Sequence, residues 1–380
     1  MRTSILSLSD PTAEGPLSLI AQKLETRMNV RRLRAVCHSL RSAIPSQSKT
    51  TIPKPDEFKI PVPIGYISFN ISHYILVEST VYAIQPLGEM PNIEEAAGTW
   101  FIKVEEPESG PVKLKDTLSD FEFENVSEEL PIPLNLLDYH VKEIAKSYEL
   151  IPVPTENPEV DHAAPLRSRR GFFVPEKVIV SEGLDIMVMH NRGMTLTMLR
   201  HGDKRWINVQ DGYDINFDDI VYFDKKFYGI TKSGHTLSYD CKTFSMSVVT
   251  FTSGNFGSAK LSLVKSDEDL FMIIQWRASS EIYKLGMFEW NKILHGYGDR
   301  VFFLGNSCSF SLLANEFPGC QKNSIYFSDA TADDDDDGGD APVFRRTGIF
   351  MKDDSTVRLL SDLPGRFQIF WPPPAWVKRI

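Results

Sequence analysis

A chain of 380 residues that is 42% hydrophobic, 11% aromatic and 24% charged has a globular composition, and is long enough for one large domain and a small companion. Its formal net charge of −10 is unevenly placed: residues 1–45 hold seven Lys/Arg against three Asp/Glu, a head of +4, so the rest carries −14. So acidic a body argues against nucleic acid as partner of the whole chain, and four scattered cysteines without a CxxC pair exclude a disulfide framework.

No run approaches the roughly 18 apolar residues of a membrane span; the densest, LFMIIQW at 270–276, has strand length. The first residues, MRTSILSLSDP, lack the sustained apolar core of about 7 or more residues that a secretory leader needs. The expectation is a soluble intracellular protein, in nucleus or cytoplasm, without a membrane partner.

In chain order the head comes first. Leu17, Ile20 and Leu24 form one apolar set, and Val30, Leu33, Cys37, Leu40 and Ile44 form another, stepping by 3, 4, 3 and 4 along one face of an amphipathic helix. Asn29 suits the N-cap of the second helix and Pro45 its stop. The pattern predicts two short helices, over about 16–26 and 30–43, which are marginal alone in water and need a surface to pack on. Residues 46–63 turn to Pro, Ser, Thr and Lys, a linker composition. This divides the chain into a head at 1–45, a linker at 46–63 and a body at 64–380.

The body reads as mainly β, in short segments with turn punctuation. DIVYFDKKFYGITKSGHTLSYD predicts strands at Ile220–Phe223, Phe227–Thr231 and His235–Tyr239, joined through Asp224-Lys225-Lys226 and Lys232-Ser233-Gly234. Similar meanders recur at 186–199, 260–277 and 348–362. Antiparallel meanders spaced by roughly 40 to 50 residues favour a β-propeller over a sandwich. One segment reads as helical: Leu137, Val141, Ile144 and Tyr148 fall at helical spacing. Polar loops are expected at 152–170 and 329–342.

Motifs that carry chemistry are few. Eight histidines and four cysteines form no HExxH or CxxC, so no metal is expected; no GxGxxG, GxxxxGK[ST] or GxSxG can be written either. Asp333 to Asp337 followed by Gly338 fits the first half of a calcium loop. Its twelfth position is Phe344, where a bidentate glutamate is required, which leaves a solvated acidic loop.

Cys37 and His38 are adjacent, but neighbours on a helix point about 100° apart, so Cys37 turns inward and His38 outward. Arg31, Arg32, Arg34 and Arg41 have no interleaved aromatics of the kind single-strand binders use, and read as a solvated flank or a complement to an acidic partner. Arg167, Arg169 and Arg170 form a short basic cluster with the composition of a nuclear-import element. No catalytic residue and no cofactor is expected.

At this point the residues suggest a family. Arg32-Leu33-Arg34-Ala35-Val36-Cys37-His38-Ser39-Leu40-Arg41 resembles the last helix of a degenerate F-box, with Leu40 where that family carries a tryptophan. The body is similar to the plant domain of unknown function 295 that follows the F-box in Skp-interacting-partner type proteins. The segments that carry this are TWFIKVEE, LPIPLNLLDYHVKEIAKSYEL, FDDIVYFDKKFYGIT, GDRVFFLGNSCSFSLLANEFPGCQKNSIYFSDA and FWPPPAWV.

The resemblance implies a non-enzymatic, substrate-recruiting subunit of an SCF-type cullin-RING ubiquitin ligase. Leu17, Ile20, Leu24, Val30, Leu33, Val36, Cys37 and Leu40 would bind a Skp-type adaptor and through it a cullin, and the body would bind a protein target. A stand-alone binding or regulatory propeller that no longer binds the adaptor is the alternative. In WPPPAW, Trp371 and Trp376 are expected to seal the last blade, and FPGC is expected to be a turn with Cys320 buried.

Overall fold

The computed structural model describes residues 58–64, 71–88, 97–106, 111–123, 126, 130, 138–155, 173–209, 216–243, 245–250, 256–287, 289–328 and 347–378. The predicted head helices, the basic cluster at Arg167 to Arg170 and the Asp333–Asp337 run lie outside them. Among the described residues the regular elements are strands and short 3-10 turns.

The strands make five blades. The first holds β1 (Ile71–Pro86), β2 (Trp100–Glu105), β3 (Lys113–Lys115) and β4 (Tyr139–Pro154), and the second β5 (Pro175–Val180), β6 (Ile186–His190), β7 (Thr195–Leu199) and β8 (Ile207–Asn208). Blade 3 is β9 (Phe217–Phe223), β10 (Lys226–Thr231), β11 (Thr236–Asp240) and β12 (Met246–Thr250), and blade 4 is β13 (Lys260–Ser266), β14 (Asp269–Gln275), β15 (Ser280–Leu285) and β16 (Trp290–Lys292). Blade 5 runs β18-β17-β19-β20-β21, from β17 (Arg300–Leu304), β18 (Phe310–Leu313), β19 (Ser324–Ser328), β20 (Thr347–Met351) and β21 (Thr356–Leu359). Pairing is antiparallel except between β17 and β19, and blades 1 and 2 share a single bridge pair, Tyr148 with Val178.

Period-two alternation gives each blade two apolar faces, and neighbouring blades bury them against each other. Tyr74, Leu76 and Leu150 meet Val178 and Val188 between blades 1 and 2. Met187 and Met198 meet Phe217 and Phe227 between blades 2 and 3; Tyr228 and Ile230 meet Leu261 and Met272 between blades 3 and 4. Phe271 meets Phe302 and Phe350 between blades 4 and 5, and Phe303, Phe310 and Tyr326 meet Val81 and Phe101 between blades 5 and 1. An open row of five sheets would bury four such layers. Five are present, so the sheets close into a ring, with the inner edge strands gathered round its centre and the outer ones on the rim.

Close packing dictates small residues where rings press on the backbone. A Cβ at Gly229 in β10 would stand 2.8 Å from the Phe217 ring of β9, so glycine is required there.

The carboxy-terminal segment completes the ring. Phe370 enters the layer between blades 5 and 1, and the Phe101 amide donates to the Ile369 carbonyl at 2.8 Å. Trp371 stacks on Phe123 with ring centroids 4.5 Å apart, while Trp376 lies 5.7 Å from Tyr139 and donates its indole N–H to the Ala97 carbonyl at 2.7 Å. The two tryptophans thus cover the outer part of blade 1 with Trp100, Ile102 and Val377. They seal the first blade rather than the last, because the tail has already crossed the boundary between them.

The expected strands at 186–199, 219–240, 260–277 and 348–362 are present within a residue or a few of the predicted ends. Two expectations need correction. The segment with helical spacing is strand β4, paired with β1 along most of its length. A bulge explains the misreading: Tyr82 pairs with Glu143 and Val81 with Ala145, so Ile144 is an extra residue. Past the bulge the alternation changes phase, and Val141 and Tyr148, seven apart, fall on one face as they would on a helix.

The second correction concerns the linker. Phe58 and Ile60 are buried, and Ile60 exchanges backbone hydrogen bonds of 2.9 and 2.8 Å with Tyr74. Trp206 donates to the Pro61 carbonyl at 2.6 Å. The stretch from Phe58 to Pro63 therefore belongs to the body, with Phe58 and Ile60 supplying apolar anchors inside a proline-rich composition.

Candidate functional site

The inner strands β4, β5, β9, β13 and β18 enclose a cavity of about 730 Å³ at the centre of the ring. Its wall takes Glu143, Lys146 and Tyr148 from β4, Lys177 from β5, Tyr222 from β9, Lys265 from β13, and Cys308 to Ser311 from the turn into β18. Charge at strand positions flanked by apolar residues marks this wall in the sequence, as in PEKVIV and FDDIVYF.

Two of the charged lining residues, Lys177 and Asp267, are tied to neighbouring blades. Asp219 in β9 is 4% exposed; one of its oxygens accepts from the Lys177 amine of blade 2 and from the Ile220 amide at 2.8 Å. The other accepts from the Leu263 amide of blade 4 at 2.8 Å. One carboxylate therefore ties three blades together. Asp218 beside it accepts from the Leu261 amide at 3.0 Å; burial holds its carboxyl above the ordinary range against that hydrogen bond.

Similar ties run round the ring. The Arg300 guanidinium of blade 5 meets the Ser266 hydroxyl and, at 2.9 Å, Asp267 of blade 4. Asp120, in the turn after β3, binds the wholly buried Lys103 amine, the Ser307 hydroxyl at 2.7 Å and the Ser307 amide at 3.0 Å. Ser307 belongs to LGNSCSF, so this motif fastens blade 5 to blade 1. Within blade 1, Lys146 pairs with Glu78 at 3.0 Å. Burial, then the Glu78 charge, raises the pKa of the Tyr148 phenol opposite it. Buried charges of this kind require partners because desolvation alone would expel them.

Chemically, this wall holds blades in register. No histidine is among its lining residues; His190 is fully buried in blade 2, edge-on to Phe173 at 4.8 Å, and burial lowers its pKa to about 4. Burial also pushes the Cys241 thiol up to about 11. Cys320 is only half buried, though it packs against the layer between blades 5 and 1. Gly319 before it has φ of 101°, as the turn reading of FPGC requires. Among the described residues no group of three His, Cys, Asp or Glu is placed to hold a metal, and no helix is long and apolar enough to cross a membrane.

The expected adaptor-binding residues Leu17, Ile20, Leu24, Val30, Leu33, Val36, Cys37 and Leu40 lie outside the described residues. The ties made by Lys103, Asp120, Lys177 and Asp219 were missed from the sequence. Their signal was charge set against apolar strand residues, as in IKV, EKVIV and DDIVYF, which identifies burial but not the partner.

Comparison with known proteins follows the same outline. The KIB1-4 beta-propeller family model matches residues 73–350. F-box protein SKIP23 of Arabidopsis thaliana is 24% identical over 404 residues, covering 95% of this chain and 93% of its own. A putative F-box protein of the same plant, At5g60060, is 23% identical over 78% of this chain and 80% of its own. Among solved structures, a streptogramin B lyase aligns with 73% of this chain and 86% of its own at a TM-score of 0.32 and 12% identity, too loose a likeness to fix anything finer.

Proposed function

The chain belongs to the KIB1-4 beta-propeller family, and from that premise we propose that it is a non-enzymatic substrate-recruiting subunit of an SCF-type ubiquitin ligase. The observation that carries this is the match to F-box protein SKIP23 along 95% of the chain, which takes in the head as well as the propeller. On this reading the head docks on a Skp-type adaptor, and the body, of the plant domain of unknown function 295 type, holds a protein target in the nucleus or cytoplasm. A basic head complements an acidic adaptor and speeds association. The ties that Asp219, Asp267 and Asp120 make between blades support a scaffold that presents surfaces, as F-box subunits do while other subunits transfer ubiquitin.

The test is co-purification of the full chain with a plant Skp-type adaptor. Wild type is expected to retain the adaptor and Leu33→Asp plus Leu40→Asp to lose it. Absence of adaptor from the wild-type eluate refutes the ligase role. It would favour the second reading, a stand-alone binding propeller. A specific observation supports that alternative: Leu40 stands where the F-box carries a tryptophan, and large aromatic anchors often dominate an interface.

A further inference from the structure

The five blades end outward in five edge strands, β3, β8, β12, β16 and β21. An unguarded edge invites another strand, and proteins protect edges with charge, proline or brevity. Four are protected in this way. β3 places two lysines in three residues, β8 is two residues long, β16 is three residues ending in Lys292, and β21 carries Arg358. β12 is different: MSVVT has five residues, no charge and no proline, and Met246, Ser247 and Val248 are exposed.

Side chains make this edge more than bare backbone. Met246 lies opposite Tyr239 and Val248 opposite Leu237, and both partners belong to the apolar layer between blades 2 and 3. Met246 and Val248, 39% and 44% exposed, continue that layer outward. From the facing blade comes Ile207, 37% exposed, opposite Met198 of the same layer. Among the described residues the rim between blades 2 and 3 is therefore an apolar cleft with an unpaired strand edge along one side.

Positive charge frames one end. Arg200 donates to the Lys242 carbonyl at 3.0 Å, joining the turn before β8 to the turn before β12. Lys204, Arg205 and Lys242 are exposed and have no ion-pair partner among the described residues. The neighbouring acids are engaged: Asp203 pairs with Arg200 at 3.5 Å, and Asp240 accepts from the Lys242 and Thr243 amides at 2.9 and 2.8 Å. Among the described residues the open charge at the cleft is positive, on a body that is negative overall.

We propose that the outer edge of β12 captures an extended segment of the target protein as a fifth strand of blade 3. Each part of the cleft specifies the occupant. The backbone edge takes an extended chain, Met246 and Val248 take apolar side chains at alternate positions, and Lys204, Arg205 and Lys242 take one or more acidic residues at one end. The inference rests on the recognition role proposed above and names where recognition occurs.

The probes are two fluorescein-labelled synthetic peptides, Asp-Asp-Thr-Val-Thr-Val-Thr and its reverse, titrated with the full chain and read by anisotropy. One of them is expected to bind, the two strand directions being exclusive at a single edge. Val248→Lys should weaken binding about tenfold or more, a loss of about 1.4 kcal/mol, while the control Val112→Lys, at an exposed residue before β3 of blade 1, binds as wild type. Methylating alternate peptide amides should abolish binding, and the triple variant Lys204→Glu, Arg205→Glu, Lys242→Glu should weaken it about tenfold and remove its salt dependence.

Failure of both peptides to bind, or binding indifferent to Val248→Lys, overturns the proposal. So does a wild-type dimer in analytical ultracentrifugation that Val248→Lys dissolves, since the edge would then be occupied by a second copy. Peptide failure with adaptor co-purification intact refutes the edge alone; adaptor loss with peptide binding intact refutes only the ligase role.

Discussion

Asp219 shows how a single residue sets the geometry of the ring. Its two oxygens reach Lys177 of the preceding blade and the Leu263 amide of the following one, and both Lys177 and Asp219 are almost fully buried. Removing one partner of such a pair leaves an uncompensated charge, whereas replacing both with apolar residues of similar volume is often tolerated. Asp219→Ala is therefore expected to destabilise the fold by about 3–5 kcal/mol in urea unfolding, and Lys177→Met with Asp219→Leu by distinctly less. Equal losses would mean that the pair contributes beyond satisfying itself.

His190 gives a residue-scale test in pH. Burial lowers its pKa from the ordinary 6.5 to about 4, so the folded state holds it neutral where the unfolded state takes up a proton. The depressed folded value means that this contribution is fully present above about pH 6.5 and is lost as pH falls through about 4. A shift of that size corresponds to about 3 kcal/mol. His190→Gln should show a correspondingly shallower fall in unfolding free energy between pH 7 and 4 than wild type; parallel curves would contradict it.

At the scale of elements, legibility in the sequence depended on local chemistry. The three strands of DIVYFDKKFYGITKSGHTLSYD could be read because two tight turns, with Asp224 and Lys225 at positive φ and Gly234 at 83°, fix their ends from within. β4 could not. Its bulge at Ile144 is set by pairing with β1, some sixty residues earlier, and a change of phase inside a strand imitates helical spacing. The same limit applies to the ties around the channel. Lys103 stands out in TWFIKVEE as a charge among apolar neighbours, but nothing near it announces Asp120 or Ser307. β12 (Met246–Thr250) is not among the predicted strands, and its lack of protection emerges only when the five outer edges are compared.

At the scale of the whole molecule, stability is cyclic: each blade contributes to two apolar layers, and the tail secures the boundary between the last and the first. Ile369 and Phe370 are buried there, and the segment through Lys378 covers the outer part of blade 1. Deleting residues 369–380 removes Phe370 from one layer and uncovers Trp100 and Ile102, which are 1% and 2% exposed. Losses of about 3–5 kcal/mol attend the removal of a single buried aromatic side chain, so the truncated chain is expected to lose at least that much in urea unfolding. The location of the damage is the sharper test. Blades 3 and 4 keep both of their flanking partners, so amide exchange should quicken in β1, β2, β17 and β19 while β10 and β14 stay protected. Quickening that is uniform across all five blades would mean that the ring unfolds as one unit when opened anywhere, and that the tail is no special clasp.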